Sequence, residues 1–383
     1  MSRRYYVILP KVPGSVEDEW KQCLDKILDI RNSGLIPVKI NVFADLPDFE
    51  TLKSVRSSII DYSAAVFQPW CPALNVTIQP PEKPWKTVVE AAFILSGTAD
   101  VTSREFCSIP YLILESEKGK ELWAGGVSSY MYPDDTRTAA EKAFNIILAM
   151  LERENMSAND IVRQWNYIGN ILQVRDNLQN YQIFNEVRSE YYHNYRTLRR
   201  FPAATGVGMK HGGVIMDFCA IQPEKSLTLI PVDNPNQVNA YDYGQQVLKG
   251  SADKGNPVKN PPQFERGLLL ANQSHYTLFI SGTASITGQE TVGVGDIEKQ
   301  TIVTIENIRT LSDPGRISEL VSRPRLQGEN FCFLRTYIKR RSDFVPVRQI
   351  CERIFPGIPV SYVEADICRD DLLVEIEGEA EMN

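Results

Sequence analysis

One order of elements runs through this chain three times: strand, helix, strand, helix, strand, strand. An apolar strand opens each pass, at Tyr5 to Pro10, Leu122 to Ser128 and Leu278 to Ala284. The spacing predicts a first helix in each pass, over Glu17 to Ile30, Thr136 to Glu154 and Ile297 to Leu311. In the first of these, Trp20, Cys23, Leu24 and Ile27 recur at the helical period. A second strand and helix follow. They cover Pro37 to Phe43 and Asp48 to Tyr62, then Val162 to Ile171 and Leu178 to Tyr192, then Phe331 to Ile338 and Val345 to Phe355. Each pass turns at a proline into two closing strands: Pro72 to Ile78 with Lys86 to Ile94, Pro202 to Gly208 with Gly213 to Ile221, and Pro359 to Ala365 with Leu372 to Glu377. A repeated unit of this kind buries its open face against its copies. The expected fold is therefore α+β, with three like units packed about a common axis. The units are expected at 1–98, 105–223 and 264–383. Gly97 to Pro110 reads as a turn-rich connection and 224–263 as an irregular linker loop.

Composition removes several classes of function. The chain has 383 residues, 43% hydrophobic and 23% charged, which excludes wholesale disorder. A net charge of -7 argues against a nucleic-acid partner, and the one dense basic run is Lys339, Arg340 and Arg341. No apolar run is long enough to cross a membrane, and the apolar stretch at Tyr5 to Pro10 is too short for a signal peptide. The 7 cysteines form no Cys-x-x-Cys pair, which fits a reducing cytoplasm. His193, His211 and His275 lie far apart, so neither a metal nor another cofactor is expected.

The repeated unit resembles the Rid/YjgF fold, a chorismate-mutase-like α+β module usually found as a homotrimer. The resemblance implies an intramolecular pseudo-trimer, in which a monomer suffices, with sites in the clefts between units. Imine-hydrolysing members carry an arginine just after the proline of the penultimate strand. This chain has Ala73-Leu74-Asn75, Ala203-Ala204-Thr205 and Val360-Ser361-Tyr362 there, which argues against an imine deaminase. The acidic charge argues against a ribonuclease.

A narrower resemblance covers most of the chain after about residue 120. Trp165-Asn166-Tyr167, Tyr181 to Phe184 leading to Arg188, and Pro202 to Gly206 match the chorismatase family in order. So do Asn234-Pro235, Ala240 to Tyr243, Phe264 to Arg266, Ser281 to Ala284, Gly295-Asp296 and the closing stretch Ala365 to Gly378. The closing stretch is the most specific of these. The resemblance implies release of pyruvate from chorismate, a small dianion, without metal or organic cofactor.

That reaction needs a carboxylic acid still protonated near neutral pH, to protonate the enol-ether methylene. Glu375 and Glu377 alternate onto one strand face, and spacing alone does not choose between them. The family's acid matches Glu375, for which burial is expected to raise the pKa. Cys368 and Gly282 match the pair that, in the family, accompanies a hydroxybenzoate product; with alanine at both, the product is a dihydrodiol. Arg188 and Arg266 match arginines suited to gripping carboxylates, and Tyr241 offers a hydroxyl. Lys339 stands where the family commonly has arginine, with Arg340 beside it. A loop from Gly244 to Asn260 replaces a short family motif that carries another arginine; Lys259 is the nearest cation there. Two classes of function stand side by side. One is a chorismatase-like enzyme giving pyruvate and 3-hydroxybenzoate. The other is a non-catalytic pseudo-trimer that binds a small carboxylate. Convergence of Arg188, Arg266 and Lys339 on a buried Glu375 would separate the first from the second.

Overall fold

The computed structural model describes residues 2–175, 177–248, 258–272, 275–322 and 330–382. The first unit runs β1 (Arg4–Ile8), α1 (Val16–Asn32), β2 (Leu35–Ala44), α2 (Phe49–Val66), β3 (Ala73–Thr77) and β4 (Thr87–Leu95). The second begins with β5 (Asp100–Phe106) and β6 (Ile109–Ser116), then β7 (Gly119–Val127), α3 (Thr136–Arg153) and β8 (Ile161–Gly169). A small hairpin, β9 (Val174–Arg175) and β10 (Leu178–Gln179), leads to α4 (Asn180–Tyr195), β11 (Ala203–Met209) and β12 (Val214–Pro223). The third opens with β13 (Thr228–Val232), β14 (Gly267–Ala271) and β15 (Tyr276–Ala284). It continues through the hairpin β16 (Ile286–Thr287) and β17 (Glu290–Thr291), then α5 (Ile297–Leu311), α6 (Pro314–Leu320) and β18 (Asn330–Ile338). It ends with α7 (Phe344–Ile354), β19 (Val360–Glu364) and β20 (Val374–Met382).

The three sheets share one connectivity. Their orders are β1-β4-β2-β3, β7-β12-β8-β11 and β15-β20-β18-β19, with β5 and β6 or β13 and β14 added at one edge. In every sheet the second and third strands of the unit pair in parallel and the other core neighbours pair antiparallel. Short polar side chains set where helices start. Ser15, Asp48, Asp135 and Asp296 each accept the backbone N–H of the residue three further on.

Each sheet turns one face to its own helices and the other to the remaining two sheets. This is why β2 is buried along its whole length, Lys39 and Asn41 included. The inward faces carry charges that close a ring. Glu90, Asp217 and Glu377 hold equivalent places, opposite Asn41, Trp165 and Arg335. Each is gripped by the preceding unit. Lys39 of the first unit pairs with Asp217 of the second at 2.7 Å. Arg163 of the second pairs with Glu377 of the third. Arg335 of the third donates from Nε to Glu90 of the first at 2.8 Å, and also reaches Glu377 at 2.6 Å. The third strands add a second cyclic set. Asn75 donates to Asp217 at 3.0 Å, Thr205 to Glu377, and Ser361 to Glu90. The N-terminal segment staples the same region, since Arg3 reaches both Glu379 and Glu121.

Three expectations need correction. Gly97 to Pro110 is not a connection: β5 and β6 form a hairpin that widens the second sheet. Strand β5 alternates exposed and half-buried residues at a sheet edge, so its polar composition hid it. The segment 224–263 is not irregular throughout, since β13 pairs with β14, while 249–257 lie outside the described residues. The final strand begins at Val374 and runs to Met382, because it pairs along its length with both β15 and β18.

Removing one partner of a buried ion pair strands the other charge in a dry interior, at a cost of about 3–5 kcal/mol. Arg335→Met should therefore lower the urea midpoint strongly or leave the chain insoluble. Lys53→Met, which breaks the exposed pair with Glu50, should change stability by at most about 1 kcal/mol. Equal midpoints for the two variants would deny the ring its structural role.

Candidate active site

Where β11 of the second unit lies beside β15 of the third, the two sheets do not close completely. A pocket enclosing about 690 Å³, its open mouth included, remains between them. Helix α4 supplies Tyr181, Gln182 and Asn185 on one side, and β11 supplies Ala204 and Gly206. The opposite wall holds Gly282, Cys368, Arg369 and Glu375, and the segment before β14 adds Tyr243 and Arg266.

Glu375 is 5% exposed. Burial pushes its carboxyl up to about 8, the charge of Glu377 adds to that, and Arg266 and Arg163 oppose it without winning. Glu377, two residues on, meets the opposite fate. Burial would raise it as well, but Arg335 and Arg163, with hydrogen bonds from Thr205 and Tyr337, hold it below the usual carboxylate range. The strand thus presents one protonated acid to the pocket and one carboxylate to the ring. Gly282 makes the space for the acid: a Cβ there would sit 2.0 Å from Glu375 Oε1. The Gly282 N–H donates to Thr205 Oγ1 at 3.0 Å, which fixes the strand's distance. Burial, then the nearby Glu375, pushes the Cys368 thiol up to about 12, so it stays protonated at neutral pH.

Two guanidiniums flank the Tyr243 ring. Arg266 lies 5.5 Å and Arg369 5.1 Å from its centroid. Arg266 donates to the Tyr243 hydroxyl at 2.7 Å and to the Val238 carbonyl, and Arg369 donates to the Gln289 carbonyl at 2.7 Å. Neither pairs with a carboxylate among the described residues, and Arg266 Nε and Arg369 Nη2 are buried without a hydrogen-bond partner. Two such cations in one wall are a ready site for carboxylate groups.

The structure brings Glu375, Cys368, Gly282 and Arg266 together, and it does not bring the other candidates to the pocket. Arg188 stands behind the wall, donating from Nη2 to Asn185 Oδ1 at 2.7 Å, and its charge also acts on Tyr181. Tyr241 turns away and donates to Glu265 at 3.4 Å. Lys339 donates to the backbone carbonyl of Asp370 at 2.8 Å, propping the loop that carries Cys368 and Arg369. Arg340 is exposed just past the end of β18. Lys259 donates to the Leu248 carbonyl at 2.5 Å, and the rest of the replacement loop, 249–257, lies outside the described residues. Arg369 and Tyr243 were not singled out from the sequence. Both sit inside the matched stretches, one residue after Cys368 and two after Tyr241.

The profile described as chorismatase FkbO/Hyg5-like, N-terminal, matches residues 116–220. A 3-hydroxybenzoate synthase of Streptomyces hygroscopicus is 32% identical over 259 residues, which are 64% of this chain and 69% of that protein. The chain belongs to the chorismatase family. A chorismatase of Streptomyces rapamycinicus is 33% identical over 57% of this chain and 63% of its own length. The crystal structure of a chorismatase superposes with a TM-score of 0.69 at 20% identity, covering 99% of both chains, so the fold is shared from end to end.

The acid's raised pKa has a consequence for stability. An unfolded glutamate titrates near 4.5, while Glu375 in the fold titrates near 8. Between those values the folded chain keeps a proton that the unfolded chain has released, so stability falls as pH rises through the window. Glu375→Gln removes that dependence. The variant should gain stability over wild type at about pH 8 and lose the gain toward about pH 4, read from urea midpoints. A gain that does not grow with pH would mean the folded carboxyl is already ionised.

Proposed function

We propose that this chain converts chorismate to pyruvate and 3-hydroxybenzoate, with Glu375 as the acid. The feature that carries the reading is a buried carboxyl, its pKa pushed up to about 8, that faces the same pocket as two guanidiniums without carboxylate partners among the described residues. Chorismate is a dianion, and Arg266 and Arg369 supply a cation for each carboxylate. Its enol ether is electron-rich at the methylene carbon. Glu375 donates its proton there, forming the methyl group of the future pyruvate and an oxocarbenium at the ether carbon. The neighbouring ring hydroxyl displaces the ether oxygen from its ring carbon, which breaks that carbon–oxygen bond, releases pyruvate and leaves an epoxide, and the epoxide opens so that its oxygen stays at the 3-position. The ring then gives up a proton as it becomes aromatic. The atoms of pyruvate and 3-hydroxybenzoate sum to those of chorismate, so no oxidant is required and no water is consumed in net.

The neighbourhood of Glu375 suits both halves of that cycle. After donation, a new carboxylate stands next to the fixed charge of Glu377, which favours recovery of the proton released by the ring. The protonated Cys368 thiol is not a nucleophile at neutral pH. Its place in the wall beside Gly282 suits a role in shaping the space around the ring, and the pair supports the aromatic product over a dihydrodiol. The small residues Ala204 and Gly206 on β11 leave room for the substrate where an imine deaminase would place its arginine.

Incubation with chorismate, followed by coupled pyruvate detection and chromatography of the aromatic product, tests the reading. Wild type should release both products in equal amounts. Glu375→Gln should lower kcat by at least about 100-fold with binding nearly intact, and Glu377→Gln should be judged only if it folds. Arg266→Ala should weaken substrate binding by about 2–5 kcal/mol. Arg188→Ala, which removes a support of Asn185, should cost about 1 kcal/mol. Cys368→Ala should move the product toward a dihydrodiol before it slows the rate. Failure of wild type to release pyruvate would leave the chain a binder of carboxylates.

A further inference from the structure

The threefold repeat creates a second junction of the same construction, where β3 of the first unit lies beside β7 of the second. Its parts correspond to those of the pocket. Phe49 opens α2 as Tyr181 opens the inner face of α4, and Arg56 follows Phe49 at the same sequence distance as Arg188 follows Tyr181. Gly126 lies in the irregular stretch of β7 opposite Asp217, as Gly282 lies in that of β15 near Glu377. Gly126 is closely packed too, though less so than Gly282, since a Cβ there would meet the Leu74 carbonyl at 3.0 Å and Arg56 Nε at 3.5 Å.

What differs is the occupant. In this junction the Tyr130 side chain fills the space. Its ring stacks on Phe49 at 6.1 Å with a 22° tilt, and Arg56 sits over it at 4.4 Å. Its hydroxyl donates to the Gly126 carbonyl at 3.1 Å. Tyr130 lies on a surface strap, half-buried and packed against the core from outside, and the next residue, Met131, is 71% exposed. Arg56 meanwhile has no carboxylate partner among the described residues. Its hydrogen bond to the Gly126 carbonyl is long, at 3.5 Å, and its Nε is buried with no partner. An aromatic platform and a guanidinium without a carboxylate partner among the described residues are held together, and the Tyr130 phenol meets both with neutral contacts only, a stacked ring and a hydrogen bond to Arg56.

We propose that this junction is a second ligand site, for a planar aromatic monocarboxylate, kept shut by Tyr130. Such a ligand would place its ring on Phe49, where the Tyr130 phenol now stacks, and its carboxylate on Arg56. The site binds without reacting. The position that Glu375 holds opposite Tyr337 is held here by Ile215, opposite Tyr167, so no acid faces the ligand. In wild type a ligand must first displace the tyrosine, and its apparent affinity falls by the fraction of time the strap is open.

Benzoate is the probe, titrated by calorimetry against the full chain. Tyr130→Gly should bind one more equivalent than wild type, at least about tenfold tighter than any second-site binding in wild type, because the closed form no longer competes. Adding Arg56→Ala to Tyr130→Gly should abolish the extra equivalent. Adding Arg266→Ala instead should leave it, which separates this site from the pocket beside Glu375 and from the proposed reaction there. Should Tyr130→Gly fail to fold, Tyr130→Phe keeps the ring, loses the bond to Gly126, and should show weaker but measurable second-site binding. The proposal is overturned if both Tyr130 variants bind benzoate no better than wild type, or if the extra equivalent survives loss of Arg56.

Discussion

Buried charge is what the architecture turns on. Three carboxylates, Glu90, Asp217 and Glu377, sit inside the molecule and each depends on a cation from a different unit. Isolated, any of them would be expensive to desolvate. Together they force the units into one cyclic arrangement, because a sheet that slipped by a residue would turn its carboxylate onto the wrong face. The apolar contacts around them drive association without choosing a register. The ring, with Asn75, Thr205 and Ser361 closing a second set of bonds, does choose one.

The same ring sets the chemistry of the pocket. Arg163 and Arg335 are committed to Glu377, so their charge is largely used up two residues short of Glu375. Glu375 is left with burial and a like-charged neighbour, and it keeps its proton. Structure and reactivity therefore share one pair of alternating glutamates on β20. Neither could be described alone, since the pKa of each depends on which cations the other has taken.

The repeat was legible because helix and strand periods survive divergence, as the stripe Trp20, Cys23, Leu24 and Ile27 illustrates. The edge hairpin β5–β6 was not, because an exposed strand has no apolar period to read. At the site, Glu375, Gly282 and Cys368 were readable from the closing stretch and the Ser281 to Ala284 match. The cations were harder. Lys339 and Arg340 look like ligands in sequence because they stand where the family commonly has arginine, but a chain leaving a strand end is free to turn, and here Lys339 serves backbone carbonyls. Tyr241 and Tyr243 lie in one short turn, and only the fold reveals which faces the pocket. Arg369 went unremarked beside a more conspicuous cysteine.

Joining the units in one polypeptide has an outcome for symmetry. In an assembly of identical subunits every substitution appears at all three junctions at once. An acid at the place of Glu375 would then recur at every junction, and each junction would have to carry its own buried, uncompensated carboxyl. Here the equivalent positions are Glu375, Ile215 and Val88. Covalent linkage has freed each junction to specialise separately, so that one can hold a buried acid while its siblings carry an apolar residue at the same place.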